Sequence, residues 1–221
     1  MINFKKILAF SFASCLCLSA LNFNAFASST PDYEVTESTN NGVSIQAIGN
    51  GESYSKEEKE AIIDHFLPPR PALTGNNVVE GEDTGLSPNN KNSHCETYVE
   101  TEWDVYKSIV LTGTGYTTAT WYGDGNWDKC YINQGTTINS IDADLTLHLP
   151  LAFDLHVSGD EYIITWESDA IFDEWEVKAD RDEIVAESYI WISSFIAEDS
   201  AEMYVDDEIY KPSTYIKIKK P

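Results

Sequence analysis

Along residues 95–111 apolar and polar positions alternate with hardly a break. Cys95, Thr97, Val99, Thr101, Trp103, Val105, Ile109 and Leu111 share one parity, and Glu96, Tyr98, Glu100, Glu102, Asp104 and Ser108 the other. Side chains on a strand point alternately to opposite faces, so the segment predicts a long strand with an apolar inner face and an acidic outer face. The pattern recurs downstream. Residues 116–122, rich in Thr and aromatics, read as the hairpin partner of that strand, beyond Gly113-Thr114-Gly115, and residues 123–126 read as a turn. Residues 136–149 put Ile141, Ala143, Leu145, Leu147 and Leu149 inward and Asp142, Asp144, Thr146 and His148 outward. Residues 151–157 keep the same parity with Asp154 and His156 outward, and Pro150 between them calls for a bend or hairpin. Residues 161–172, 184–197, 201–210 and 214–220 complete the series, with the 184–197 stretch apolar on both faces. Roughly eight or nine strands with no helix between them predict an all-β fold, an antiparallel β-sandwich or flattened barrel, over residues 95–221.

Residues 28–94 have another texture, rich in Asn, Gly, Ser, Thr, Glu and Pro. They read as a mostly irregular, flexible arm. Its one exception is Ser55-Lys56-Glu57-Glu58, a capping box. Ala61, Ile62, Ile63, Phe66 and Leu67 follow at helical spacing, so a short helix is expected over 56–67, stopped by Pro68-Pro69. A helix of that length is unstable alone and must dock.

The first residues change the compartment. Lys5 and Lys6, an apolar run over residues 7–21 and Ala25-Phe26-Ala27 match a secretory signal cleaved after residue 27. A lipid anchor on Cys15 or Cys17 fits less well, because Phe12 and Ser14 stand three residues upstream, where Leu is usual. Export leaves Cys95 and Cys130 in an oxidising setting, and a disulfide between them is expected. The net charge of −23 argues against nucleic acid or an anionic membrane as partner, since both need clustered Lys and Arg.

Four constellations carry chemistry. Asp124, Asn126 and Asp128 are spaced like the start of a calcium loop, although Lys129 and Gly135 stand where such loops need Gly and Glu. If Pro150 sits in a hairpin, His148 faces Asp154 and Thr146 faces His156, which would gather a transition-metal set with Asp142 and Asp144. Glu167 and Glu174, with Asp169, Asp173 and Glu176 nearby, are the candidates for a glycosidase pair. Trp121, Tyr122, Trp127 and Tyr131 gather around the turn as a candidate ligand platform. The sequence has no G-x-S-x-G and no HExxH. The balance favours an exported, non-catalytic binding or adhesion module for a glycan or protein ligand, supported by calcium if the turn binds it. A small carbohydrate-active hydrolase and a secreted toxin-like β protein are the alternatives.

Overall fold

A computed structural model describes residues 31–67, 77–105, 108–141 and 145–221. Asp32–Pro221 form one compact unit that holds all of the described core. The strands are β1 (Val35–Asn40), β2 (Val43–Gly49), β3 (Val78–Ser87), β4 (Asn90–Asp104), β5 (Ile109–Trp121), β6 (Lys129–Ser140), β7 (Thr146–His148), β8 (Asp154–Ser158), β9 (Glu161–Glu167), β10 (Glu174–Ser188), β11 (Ile192–Val205), β12 (Glu208–Tyr210) and β13 (Ser213–Lys219). One helix, α1 (Lys56–Phe66), follows β2. Two antiparallel sheets face each other. Sheet A runs β1-β2-β10-β5-β4-β3, with β7 also on β10, and sheet B runs β12-β11-β6-β9-β8, with β13 also on β11. The fold is the sandwich expected, not a closed barrel.

Residues 184–197 are not one strand but the end of β10, an exposed turn and the start of β11, and Ile141, expected inward, is exposed. Three further local readings change. The alternation over 95–111 is a hairpin rather than one strand: β4 turns before β5, and Trp103 lies opposite Leu111. Partners an even number of residues apart keep the same parity, which is why the pattern ran through the turn unbroken. Second, the segment expected to be a flexible arm supplies β1, β2 and β3 to sheet A. Val43, Ile45 and Ala47 on β2 are core residues. β3 is an edge strand whose glycines sit under close neighbours. A Cβ on Gly85 would lie 1.8 Å from the Ser213 carbonyl oxygen, and one on Gly81 would lie 2.4 Å from Ile216. The Gly-rich texture thus marks tight packing against β13. Third, no hairpin forms at Pro150. β7 pairs with β10 in sheet A and β8 with β9 in sheet B, so the chain changes sheets there.

The interior is apolar except at its centre. Arg181 on β10 and Asp199 on β11 form an ion pair with both side chains fully buried. Asp199 also accepts hydrogen bonds from Thr97 Oγ1 at 2.9 Å, Thr117 Oγ1 at 2.6 Å and the Gly135 amide at 3.2 Å. Arg181 donates to Thr136 Oγ1, and Gln134 Nε2 donates to Thr117 Oγ1 at 3.1 Å. A buried charge is tolerated only when paired and hydrogen-bonded, and here the pair joins one sheet to the other.

Helix α1 begins as its sequence requires. Ser55 accepts from the Glu58 amide, and the Glu58 carboxylate accepts from the Ser55 amide. Its buried positions are Lys59, Ile62 and Phe66, a stripe at helical spacing. It packs on the outward row of sheet A in which Ile48, Glu176, Thr120 and His94 are register neighbours.

Candidate functional site

The turn after β5 does hold a cation, but one supplied by the chain. The Lys59 ammonium donates to the carbonyl oxygens of Trp121 at 3.2 Å, Gly123 at 2.8 Å and Gly125 at 3.1 Å. It also lies 5.1 Å from the centre of the Trp175 ring. Burial lowers its pKa to about 8, with Asp124 pulling the other way. Asn126, expected as a calcium ligand, has its side chain committed at both ends: it accepts from the Gly51 amide at 2.6 Å and donates to the Asp173 carbonyl at 2.6 Å. Among the described residues no group of three or more His, Cys, Asp or Glu side chains is placed to hold a metal. The histidine set is dispersed: His148 pairs with Val185 in sheet A and His156 with Ile163 in sheet B. Asp142 and Asp144 lie outside the described residues.

The expected disulfide is corrected. Cys95 and Cys130 are free thiols, both fully buried. One lies on β4 of sheet A and the other on β6 of sheet B. The two thiols are near neighbours across the core, since Cys130 adds to the upward shift of Cys95. Burial pushes both thiols up. A thiol kept protonated is a poor nucleophile.

The aromatic platform is not a single surface. Trp127 is buried, and so is Trp121, which stacks on Tyr210 with ring centres 5.4 Å apart. Tyr122 meets His94 edge-on, and Tyr131 packs against Tyr204 beside Lys129. These rings serve the core and its margins. Burial, with Glu176 nearby, pushes the Tyr122 hydroxyl up.

The carboxylates separate as well. Glu176 has no exposed surface and lies beside the Thr120 hydroxyl. Desolvation raises its pKa well above the carboxylate range; Thr120 opposes the shift and Glu96 adds to it. Glu174 is raised to about 7, chiefly by desolvation and then by Asp173. Both belong to sheet A, whereas Glu167 is on β9 of sheet B. The expected Glu167–Glu174 pair is therefore not assembled.

Glu167 instead lines an open groove of about 790 Å³ on the outer face of sheet B. The register explains the depression. Asp154, Thr165, Gly135, Glu198 and Tyr215 form one cross-strand row over β8, β9, β6, β11 and β13. Gly135, in the middle, has no side chain, and a Cβ there would lie 2.7 Å from the Glu198 carbonyl oxygen. Asp154 and Glu198 stand three strand spacings apart, ~14 Å between backbones. Asn133, Thr137 and Thr165 line the trough between them. A second lobe of about 660 Å³ continues past Thr137 and Glu198 to Tyr215 and Lys217. The strand signal was present in the sequence. Outward positions Asn133, Gly135, Thr137 and Asn139 are small and neutral, while most outward rows are acidic.

No protein-family model, no curated protein and no solved structure matches the chain.

Proposed function

We propose that this is an exported, non-catalytic binding protein whose ligand, a carbohydrate chain, lies in the groove across the outer face of sheet B. The groove itself carries the reading: a glycine floor, with amide, hydroxyl and carboxylate side chains on both sides. Sugars present alternating donors and acceptors, which such groups match in an open, wet trough. The floor is also held rigidly, since the Gly135 amide is tied to Asp199 in the buried ion pair. Export rests on the signal-like N-terminus. Calcium plays no part in this reading, because the carbonyls of the turn are taken by Lys59.

The test is affinity electrophoresis through gels containing xylan, mannan, mixed-linkage β-glucan or soluble chitin, with residues 32–221. Retardation by at least one polymer, weakened about tenfold or more in Asn133→Ala or Glu198→Ala, is the expected result. Free migration in all of them sinks the proposal.

A second reading, a carbohydrate hydrolase, is favoured by one observation: Glu167, Asp154 and Glu198 share the groove. It demands reducing-sugar release that is lost in Glu167→Gln or Glu198→Gln. Binding without release supports the non-catalytic reading.

A further inference from the structure

The turn between β10 and β11 exposes three consecutive large apolar residues. Tyr189 is 76% exposed, Ile190 65% and Trp191 43%, and Ile141, at the end of β6, is 69% exposed beside them. The other five tryptophans are all buried. Runs of exposed apolar residues are selected against in soluble domains unless they contact something. This tip is also held in place. Ser188 Oγ accepts from the amides of Ile190 and Trp191 at 3.2 and 3.1 Å. The Trp191 carbonyl accepts from Ser140 Oγ at 2.7 Å and from the Ile141 amide at 3.3 Å. The backbone is thus satisfied inward while the side chains stand outward.

Charges of both signs flank the tip: Asp160, whose carbonyl accepts from the Ser140 amide, and Glu161 lie on the β9 side, and lysines lie on the β13 side. Lys217, Lys219 and Lys220 close the last strand alongside it, in a chain of net charge −23. Lys219 is the register partner of Ser194, three residues after Trp191, and the Lys220 ammonium lies 4.5 Å from the centre of the Trp191 ring. The nearest acid on β10, Glu187, accepts from Ser108 Oγ at 2.9 Å.

We propose that this tip docks on a phospholipid surface. Tyr189, Ile190, Trp191 and Ile141 enter the boundary between headgroups and acyl chains, and the three lysines reach lipid phosphates. Tryptophan, tyrosine and lysine are the residues that favour that boundary, because each joins an apolar body to a polar end. A second copy of the chain fits less well. A twofold contact through the tip would set each lysine cluster against its own image. The global negative charge repels anionic bilayers at long range, so zwitterionic phosphatidylcholine, which also carries phosphate, is the appropriate probe. The inference does not depend on what occupies the groove.

Trp191 is its own reporter. Residues 32–221 are mixed with phosphatidylcholine vesicles, and tryptophan emission and co-sedimentation are followed. The expected result is a blue shift, quenching by lipids brominated near the headgroup end of the acyl chain, and protein in the pellet. Ile190→Ser with Trp191→Ser should lower partitioning at least tenfold. Replacing the three lysines by Gln should lower it less, by about two- to fivefold. The proposal is overturned by unchanged emission with no pelleting, or by undiminished binding of the double serine variant. It is equally overturned by concentration-dependent dimers, abolished by that variant, in a protein that ignores vesicles.

Discussion

The outer faces of the two sheets begin from the same strand grammar and end differently. On sheet A part of the face is closed. α1 lies over the row through Ile48 and Glu176, Tyr98 and Tyr116 stack with ring centres 5.5 Å apart, and Lys178 is buried beside them. On sheet B the face stays open over Gly135, and its side chains are small and polar. Where the chain covers a face, it hides charges that need partners. Where it leaves a face open, it places groups that need nothing from the fold. That asymmetry points to sheet B as the working surface.

The largest expected effect concerns what both faces share. Asp199→Ala leaves Arg181 buried without its counter-charge and takes the acceptor from Thr97, Thr117 and the Gly135 amide. Removing one partner of a buried ion pair costs about 3–5 kcal/mol. Urea unfolding should show that loss, and the groove floor should fail with it. A midpoint close to that of the parent protein would contradict the central role of the pair.

Next comes the cover of sheet A. Ile62 is fully buried in the face of α1 that meets the sheet. Ile62→Ala should cost about 2–5 kcal/mol, as large-to-small core changes do. A loss below about 1 kcal/mol would mean that α1 is a loosely held strap.

The legibility of these regions in the sequence differs for physical reasons. Alternation reports a half-buried strand, so β4 and β9 were readable from Val99 and Ile164; β6 was not, because reading residues 136–149 as one strand with Ile141 inward sets the buried Ile138 outward. It is blind to a turn that preserves parity, such as the one between Trp103 and Leu111. It also fails on an edge strand that packs through glycine, such as β3 at Gly81 and Gly85. The capping box of α1 was local and therefore plain. Its buried Lys59 was not, since nothing near it in sequence shows that carbonyls of residues 121–125 await its ammonium. The groove is a property of five strands meeting in register, and no single stretch of sequence shows it.

A third effect depends on pH. Glu176 and Glu174 are protonated more readily in the folded chain than in the unfolded one. The folded state therefore binds more protons above pH ~4.5, and stability is greatest below that value and falls as pH rises. For Glu174 the fall ends near its folded pKa of about 7. The melting temperature should accordingly be higher at pH 5 than at pH 8. Glu176→Gln should flatten much of that slope, because an amide does not titrate. A slope unchanged in this variant would mean that its carboxyl titrates in contact with water, and that α1 does not seal sheet A.

The smallest effect is the most telling for the comparison. Asn133 and Thr137 point from β6 into the open trough, where water replaces any side chain removed. Asn133→Ala and Thr137→Ala should each change stability by no more than about 0.5 kcal/mol, as surface substitutions away from special features do. The same exchange on the closed face, Thr118→Ala at a site 2% exposed, should cost more. Side by side in urea, these variants measure how far each face is built for the fold. Equal losses on both faces would show that the sheet B row is structural too, and the groove would then have no claim to be kept for a ligand.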